Sequence, residues 1–129
     1  MTIGYDERIE PDECRRLIAS RSVARIGFVS TAGDVLVLPV SYKVDDAGVL
    51  VFQTSGSGVL ARLADGERVS VQVDDVSEEL HNGWAVLAHG HTAIYEGDVS
   101  PRAWIAGHSE VVIGIALDRL TGRAISAFG

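Results

Sequence analysis

At 129 residues, with 47% hydrophobic and 22% charged content, the chain has the size of one domain and enough apolar residues to bury a core. A formal net charge of −7 excludes the basic surface that nucleic acid demands. No apolar run approaches the roughly 18 residues of a membrane span, the opening MTIGYDERIEPDE is too acidic for a secretory signal, and a lone Cys14 permits no internal disulfide. A cytoplasmic protein is expected, with no nucleic acid or membrane as partner.

Residues 1–9 read as an N-terminal tail. Glu10-Pro11-Asp12-Glu13 then starts a helix, with proline at the first helical position and acids in the first turn. Cys14, Leu17 and Ile18 supply its apolar stripe, and it ends near Ser20. A strand over residues 23–30 alternates Ala24, Ile26 and Phe28 against Arg25 and Gly27, and closes in a turn at 31–34. The next strand, Val35–Val44, carries Pro39 in its middle. Proline donates nothing to a ladder, so an edge, a bulge or a ligand-facing gap is expected there. A second hairpin turn follows at 45–48.

Residues 49–63, VLVFQTSGSGVLARL, carry the strongest local signal. A β-branched run empties through Gln53-Thr54-Ser55-Gly56-Ser57-Gly58 into Val59, Leu60 and Leu63 at helical spacing. Glycines, hydroxyls and free N–H groups at a helix start suit an anion, although such turns also exist for geometry alone. Residues 68–75 then alternate Val69, Val71 and Val73 against Ser70, Gln72 and Asp74. A polar connection at 75–83 leads to a long strand at 84–95 with Gly90 as a bend or close-approach point. Ser100-Pro101 starts another short helix. A final strand at 111–117 is followed by a turn at Thr121-Gly122 and a tail. Six or seven hairpin-linked strands with two or three short helices predict a mainly β chain, as an antiparallel barrel or a curved sandwich.

Catalytic signatures are sparse. His89-x-His91 share one side of a strand, but two ligands make no metal site, and no third has a defined spacing, so no metal is expected. His81 joins His89 and His91 in inviting a metal reading without completing one, and His108 lies in a loop and carries no motif. Cys14 belongs to the helix stripe as a small hydrophobe, and Gly56-Ser57-Gly58 is too compact for a nucleophile elbow. The turn acids Asp74, Asp75, Glu78 and Glu79 are read as solvated. Trp84 and Trp104 suit either core packing or a planar ligand.

The order of these segments carries a resemblance. R-I-G-F-V at 25–29 is followed by L-P-V-S-Y at 38–42, V-F-x-T-S-G at 51–56, L-A-x-L at 60–63, V-x-V-D-D at 71–75, G-W-x-V-L-x-x-G at 83–90 and L-T-G-R at 120–123. This resembles the pyridoxamine 5′-phosphate oxidase-like, FMN-binding split-barrel proteins, in particular the small group related to nitroimidazole-resistance reductases. The resemblance implies a six-stranded antiparallel split β-barrel, a two-fold homodimer and FMN in clefts at its interface. By position, Leu38, Pro39, Val40 and Ser41 would run along the flavin ring. Gln53, Thr54, Ser55, Ser57 and Gly58 would take the phosphate. Gln72 would approach the ring edge, and Trp84 would pack near the cofactor or the interface.

Two departures stand out. Members that bind flavin well carry Arg or Lys where this chain has Gln53, and Lys where it has Val59. Each lost charge-assisted contact costs about 1.5–3 kcal/mol, roughly 10- to 100-fold in affinity. Arg62 and Arg25 are the candidate replacements. The expected function is an FMN-dependent oxidoreductase acting on a small molecule, with no residue that reads as its acid or base. The alternatives are a deazaflavin (F420) reductase of the same fold and a binding or interaction module without cofactor.

Overall fold

The computed structural model describes the backbone of residues 3–101 and 110–128, with side chains for 6–101 and 110–126. In chain order these form β1 (Ile3–Ile9), α1 (Pro11–Ala19), β2 (Val23–Val29), β3 (Val35–Val44), β4 (Leu50–Thr54), a 3-10 helix (Val59–Asp65), β5 (Arg68–Ser77), β6 (Asn82–Ile94) and β7 (Val111–Phe128). The short helix expected after Ser100-Pro101, which carries Trp104, and the loop expected around His108 fall outside the described residues.

All strand pairs are antiparallel, in the order β1-β7-β4-β3-β2-β5-β6. β6 also pairs with β7, from Asn82↔Ser126 to Ile94↔Ile113. That pairing closes β2 to β7 on one another, giving the split β-barrel expected from the sequence. β7 holds the closure together because one of its edges follows β6 while the other is shared in series by β4 and β1.

Two expectations are corrected here. The N-terminal segment is no tail over Ile3–Ile9, which pair with Phe128–Gly122 of β7. Thr121-Gly122 is no turn, since Gly122 lies within β7, opposite Ile9 on one side and Val86 on the other. Its glycine serves close approach instead. A Cβ there would fall 2.7 Å from Cys14 Sγ and 3.0 Å from Ile9 Cβ, so the missing side chain is what lets α1 seat on the sheet.

The alternating apolar residues turn inward. Ala24, Ile26 and Phe28, then Leu50 and Phe52, then Val69, Val71 and Val73, and Val86, Ala88, Ile113 and Ile115 form one buried cluster. α1 adds Cys14 and Ile18 to it, and the Tyr42 hydroxyl donates to the Ile18 carbonyl. The 3-10 helix closes the other end with buried Leu63, whose carbonyl accepts from Thr92 Oγ1; the same oxygen accepts from the Glu67 N–H at 2.9 Å. The segment is too short for a settled α-helix. Gly58 gives it no side-chain cap, and Gly66 at φ 88° ends it after seven residues. Gly90 is a close-approach point as expected: β6 shifts register between His89 and Gly90, and a Cβ there would lie 2.4 Å from the Ala116 carbonyl oxygen.

Two stability predictions follow from these contacts. Gly122→Ala is expected to lower the urea midpoint by an amount equivalent to about 1–3 kcal/mol. Adding Cys14→Ala should recover part of the loss, a coupling of at least about 0.5 kcal/mol in a double-mutant cycle; strict additivity would contradict the contact. Burial pushes the Tyr42 phenol up to about 12 from 10. The folded pKa lies above the unfolded one, so the stability tied to neutral Tyr42 is complete below pH 10 and is lost as pH rises towards 12. The stability gap between wild type and Tyr42→Phe, measured by denaturant titration, should be constant up to about pH 9 and shrink above pH 10.

Candidate functional site

The site begins where two strands part. β3 pairs with β4 only at Tyr42↔Phe52, Lys43↔Val51 and Val44↔Leu50. Earlier in β3, residues 35–41 have β2 as their ladder partner, while Gln53 and Thr54 of β4 pair with Val112 and Val111 of β7. Residues 38–41 therefore form one lip of a split, and residues 53–55 the other. The Tyr42 N–H donates to the Ser22 carbonyl at 3.0 Å. By alternation Leu38 and Val40 also aim their main-chain groups at β2, which leaves Pro39 aimed at the open lip. Proline sacrifices no ladder bond in that position, so of the edge, bulge or gap expected from its presence the structure has an edge.

Alternation also sorts the side chains. Leu38 and Val40 point into the core, whereas Pro39 and half-buried Ser41 lie on the outer face. On that face a transverse row runs Pro39–Arg25–Gln72–Leu87–Thr121 through successive pairings. Strand spacing places Pro39 and Gln72 about 10 Å apart. Arg25 stands between them, ion-paired to Asp74 at 3.0 Å, and Gln72 Nε2 donates to the same Asp74 oxygen at 2.9 Å. Leu87 is a member of this row that sequence reasoning missed, although the β6 alternation carried the signal. Beyond Gln72 a groove of about 330 Å³ extends to Leu87, Thr121, Arg8 and Arg123.

Trp84 does not join this row. It shares the inward parity of Val86 and Ala88, packs against the core, and carries the Arg21 guanidinium 5.5 Å above its ring. Arg21 is in turn 2.5 Å from Asp75, the residue paired with Trp84. Trp84 and Gln72 therefore lie on opposite faces of the sheet.

The 53–58 loop is partly self-satisfied. Ser55 Oγ accepts from the Ser57 N–H at 3.2 Å and lies 3.1 Å from Ser57 Oγ, and the Gly58 N–H donates to the Ser55 carbonyl at 3.4 Å. Gln53 Nε2 reaches Ser100 Oγ at 3.5 Å. Thr54 points inward and is buried, so its side chain is withdrawn from the loop surface. The Gly56 N–H donates to Glu110 Oε2 at 3.3 Å. Glu110 is a second residue that sequence reasoning missed, because nothing local links it to the loop; only the Thr54↔Val111 pairing brings it there.

Neither candidate replacement cation faces this loop in the structure. Arg62 donates to the Val29 carbonyl, lies 3.5 Å from Glu67 Oε1 and stacks 5.6 Å from the Phe28 ring. Arg25 is held by Asp74 on the outer face. Val59, where a lysine was expected, is 60% exposed. The open lip and outer row fit a planar heterocycle. The loop offers hydroxyl and N–H groups to an anionic tail, but the charged group hydrogen-bonded to it among the described residues is the Glu110 carboxylate.

The histidines serve other contacts. His89 Nδ1 lies 2.9 Å from Ser70 Oγ, and His91 Nδ1 3.5 Å from Asp118. Among the described residues no group of three or more His, Cys, Asp or Glu is placed to hold a metal ion.

Comparison with known proteins places this geometry. The chain resembles an FAD-binding protein from Mycobacterium smegmatis at 21% identity and a TM-score of 0.72, over 93% of this chain and 98% of that one. It resembles an FAD-binding protein from Mesorhizobium loti at 19% identity and a TM-score of 0.75, over 95% and 98%. A heme-binding protein from Mycobacterium smegmatis shares 23% identity and a TM-score of 0.69, over 87% of this chain and 54% of that one. No curated protein matches. The sequence model of the pyridoxamine 5′-phosphate oxidase family matches residues 10–124, from the start of α1 to near the end of β7. The chain belongs to the pyridoxamine 5′-phosphate oxidase family.

Proposed function

We propose that this protein is an FMN-binding oxidoreductase that works as a homodimer on a small-molecule substrate. The observation that carries the reading is the open lip of β3, with Pro39 in register with Gln72 across the outer face. Two of the structural relatives are named as FAD-binding proteins, which supports a flavin as the ligand class. The main-chain groups of Pro39 and Ser41, which alternation turns to the lip, and the Gln72 amide would hold the ring. Ser55, Ser57 and the main chain at Gly58 would meet the phosphate. A bound flavin supplies hydride and single-electron transfer; the protein supplies position, a dry surface and hydrogen bonds. The groove beyond Gln72 gives a substrate room next to the ring, with Arg8 on its wall and Arg123 there already ion-paired to Asp6 at 2.9 Å.

A second copy explains the apolar residues beside the lip. Val35, Val37 and Val29 are 74%, 61% and 56% exposed, and Val29 pairs with Val35 next to Gly27↔Val37. Such a patch favours burial against a partner. A cofactor-less module of the same fold is the second reading, favoured by Glu110 on the loop and by the committed state of Arg62 and Arg25. No helix among the described residues is long and apolar enough to cross a membrane.

Purified protein incubated with excess FMN and then desalted should absorb near about 450 nm, and FMN should raise its melting temperature by several degrees. A colourless protein whose melting temperature ignores FMN would favour the second reading. Gln72→Ala should weaken FMN binding by roughly fivefold, about 1 kcal/mol, without lowering thermal stability. Val37→Glu should move the protein from dimer to monomer in sedimentation velocity and reduce flavin uptake with it. An unchanged dimer would show that the β2–β3 face is not the interface.

A further inference from the structure

The 53–58 loop already holds an anion of its own. Glu110 stands just ahead of β7, and the Thr54↔Val111 pairing delivers it to the loop, where its Oε2 accepts from the Gly56 N–H at 3.3 Å. A Cβ at position 56 would lie 2.9 Å from that same oxygen, so a larger residue there would push the carboxylate aside. Among the described residues no Lys, Arg or His forms an ion pair with Glu110. The two arginines closest to the loop in sequence or expected role are drawn off by Glu67 and Asp74. A carboxylate thus occupies the main-chain donor that a phosphate oxygen would otherwise use.

We infer that Glu110 is the specificity-determining residue of this loop. It competes with the terminal phosphate of FMN for the Gly56 N–H, and so makes the flavin an exchangeable ligand rather than a permanently held group. The inference rests on the flavin reading above. A phosphate dianion brought beside the exposed Glu110 carboxylate is repelled, and it displaces the existing charge-assisted hydrogen bond from Gly56 in order to bind. Riboflavin has the same ring and ribityl chain but no phosphate, so it meets neither penalty. The residue accordingly sets the preference between two flavins without touching the ring.

The test is a fluorescence titration of wild type and Glu110→Gln with FMN and with riboflavin at one ionic strength. Glutamine keeps the size and a carbonyl acceptor for Gly56 while removing the charge. FMN should bind the variant at least tenfold more tightly than it binds wild type, equivalent to 1.4 kcal/mol, while riboflavin affinity stays within twofold. Equal FMN affinity in the two proteins, with riboflavin bound by both, would overturn the inference and leave the flavin reading standing. A parallel gain for both flavins would also overturn it, because the phosphate would then not be what Glu110 senses. If neither flavin binds either protein, the flavin reading itself fails and takes this inference with it. Should Glu110→Gln not fold, Glu110→Ala replaces it in the same titration with the same expected direction.

Discussion

The departure of β4 from β3 after the Tyr42↔Phe52 pair is the constraint on which the rest of the structure depends. A strand has two edges, and β4 gives one of them wholly to β7. Its other edge supports β3 for three residues and then leaves it. Had β4 followed β3 further, Pro39 would have faced a neighbouring strand with no N–H to offer, and the barrel would have had no split. The closure through β6 and β7 keeps the ring intact while the split stays open. The two ends are stoppered differently, by α1 through Cys14, Ile18 and Tyr42, and by the 3-10 helix through Leu63 and Thr92. A wall in which residues 38–41 of β3 have no β4 ladder partner is thereby built from ordinary hairpins.

Much of this was legible in the residues, and the reason is local. Alternation in β2, β3 and β5 is governed by which face meets the core, and the turns at 31–34 and 45–48 carry their own glycines. Pro39 announced an edge because its chemistry forbids a central ladder position. What escaped was the product of distant pairing. β1 is polar and short of apolar alternation, and its partner lies more than a hundred residues away. Gly122 was misread because a glycine needed for close packing looks, in sequence, like a glycine needed for a turn. Its role becomes visible only once Cys14 is placed above it.

The candidate site divides in the same way. Pro39 and Gln72 fall into one row because strand parity is a local property, and parity equally puts Trp84 on the far side. The electrostatics were not legible, since they depend on which side chains tertiary structure makes neighbours. Arg62 reaches Val29 and Glu67, Arg25 reaches Asp74, and Glu110 reaches Gly56. The loop keeps the hydroxyls and glycines of an anion cradle while its charge balance runs the other way. The chain has the scaffold of the pyridoxamine 5′-phosphate oxidase family, with the Glu110 carboxylate set on the Gly56 N–H of its 53–58 loop.

Hydrogen–deuterium exchange of the purified protein with and without saturating FMN tests the central claim most directly. The account predicts slowed exchange in two separate segments, residues 38–41 on one lip of the split and residues 53–58 on the other, with the core strands unchanged. FMN that binds yet protects neither segment, or that leaves exchange unaltered everywhere, would contradict it.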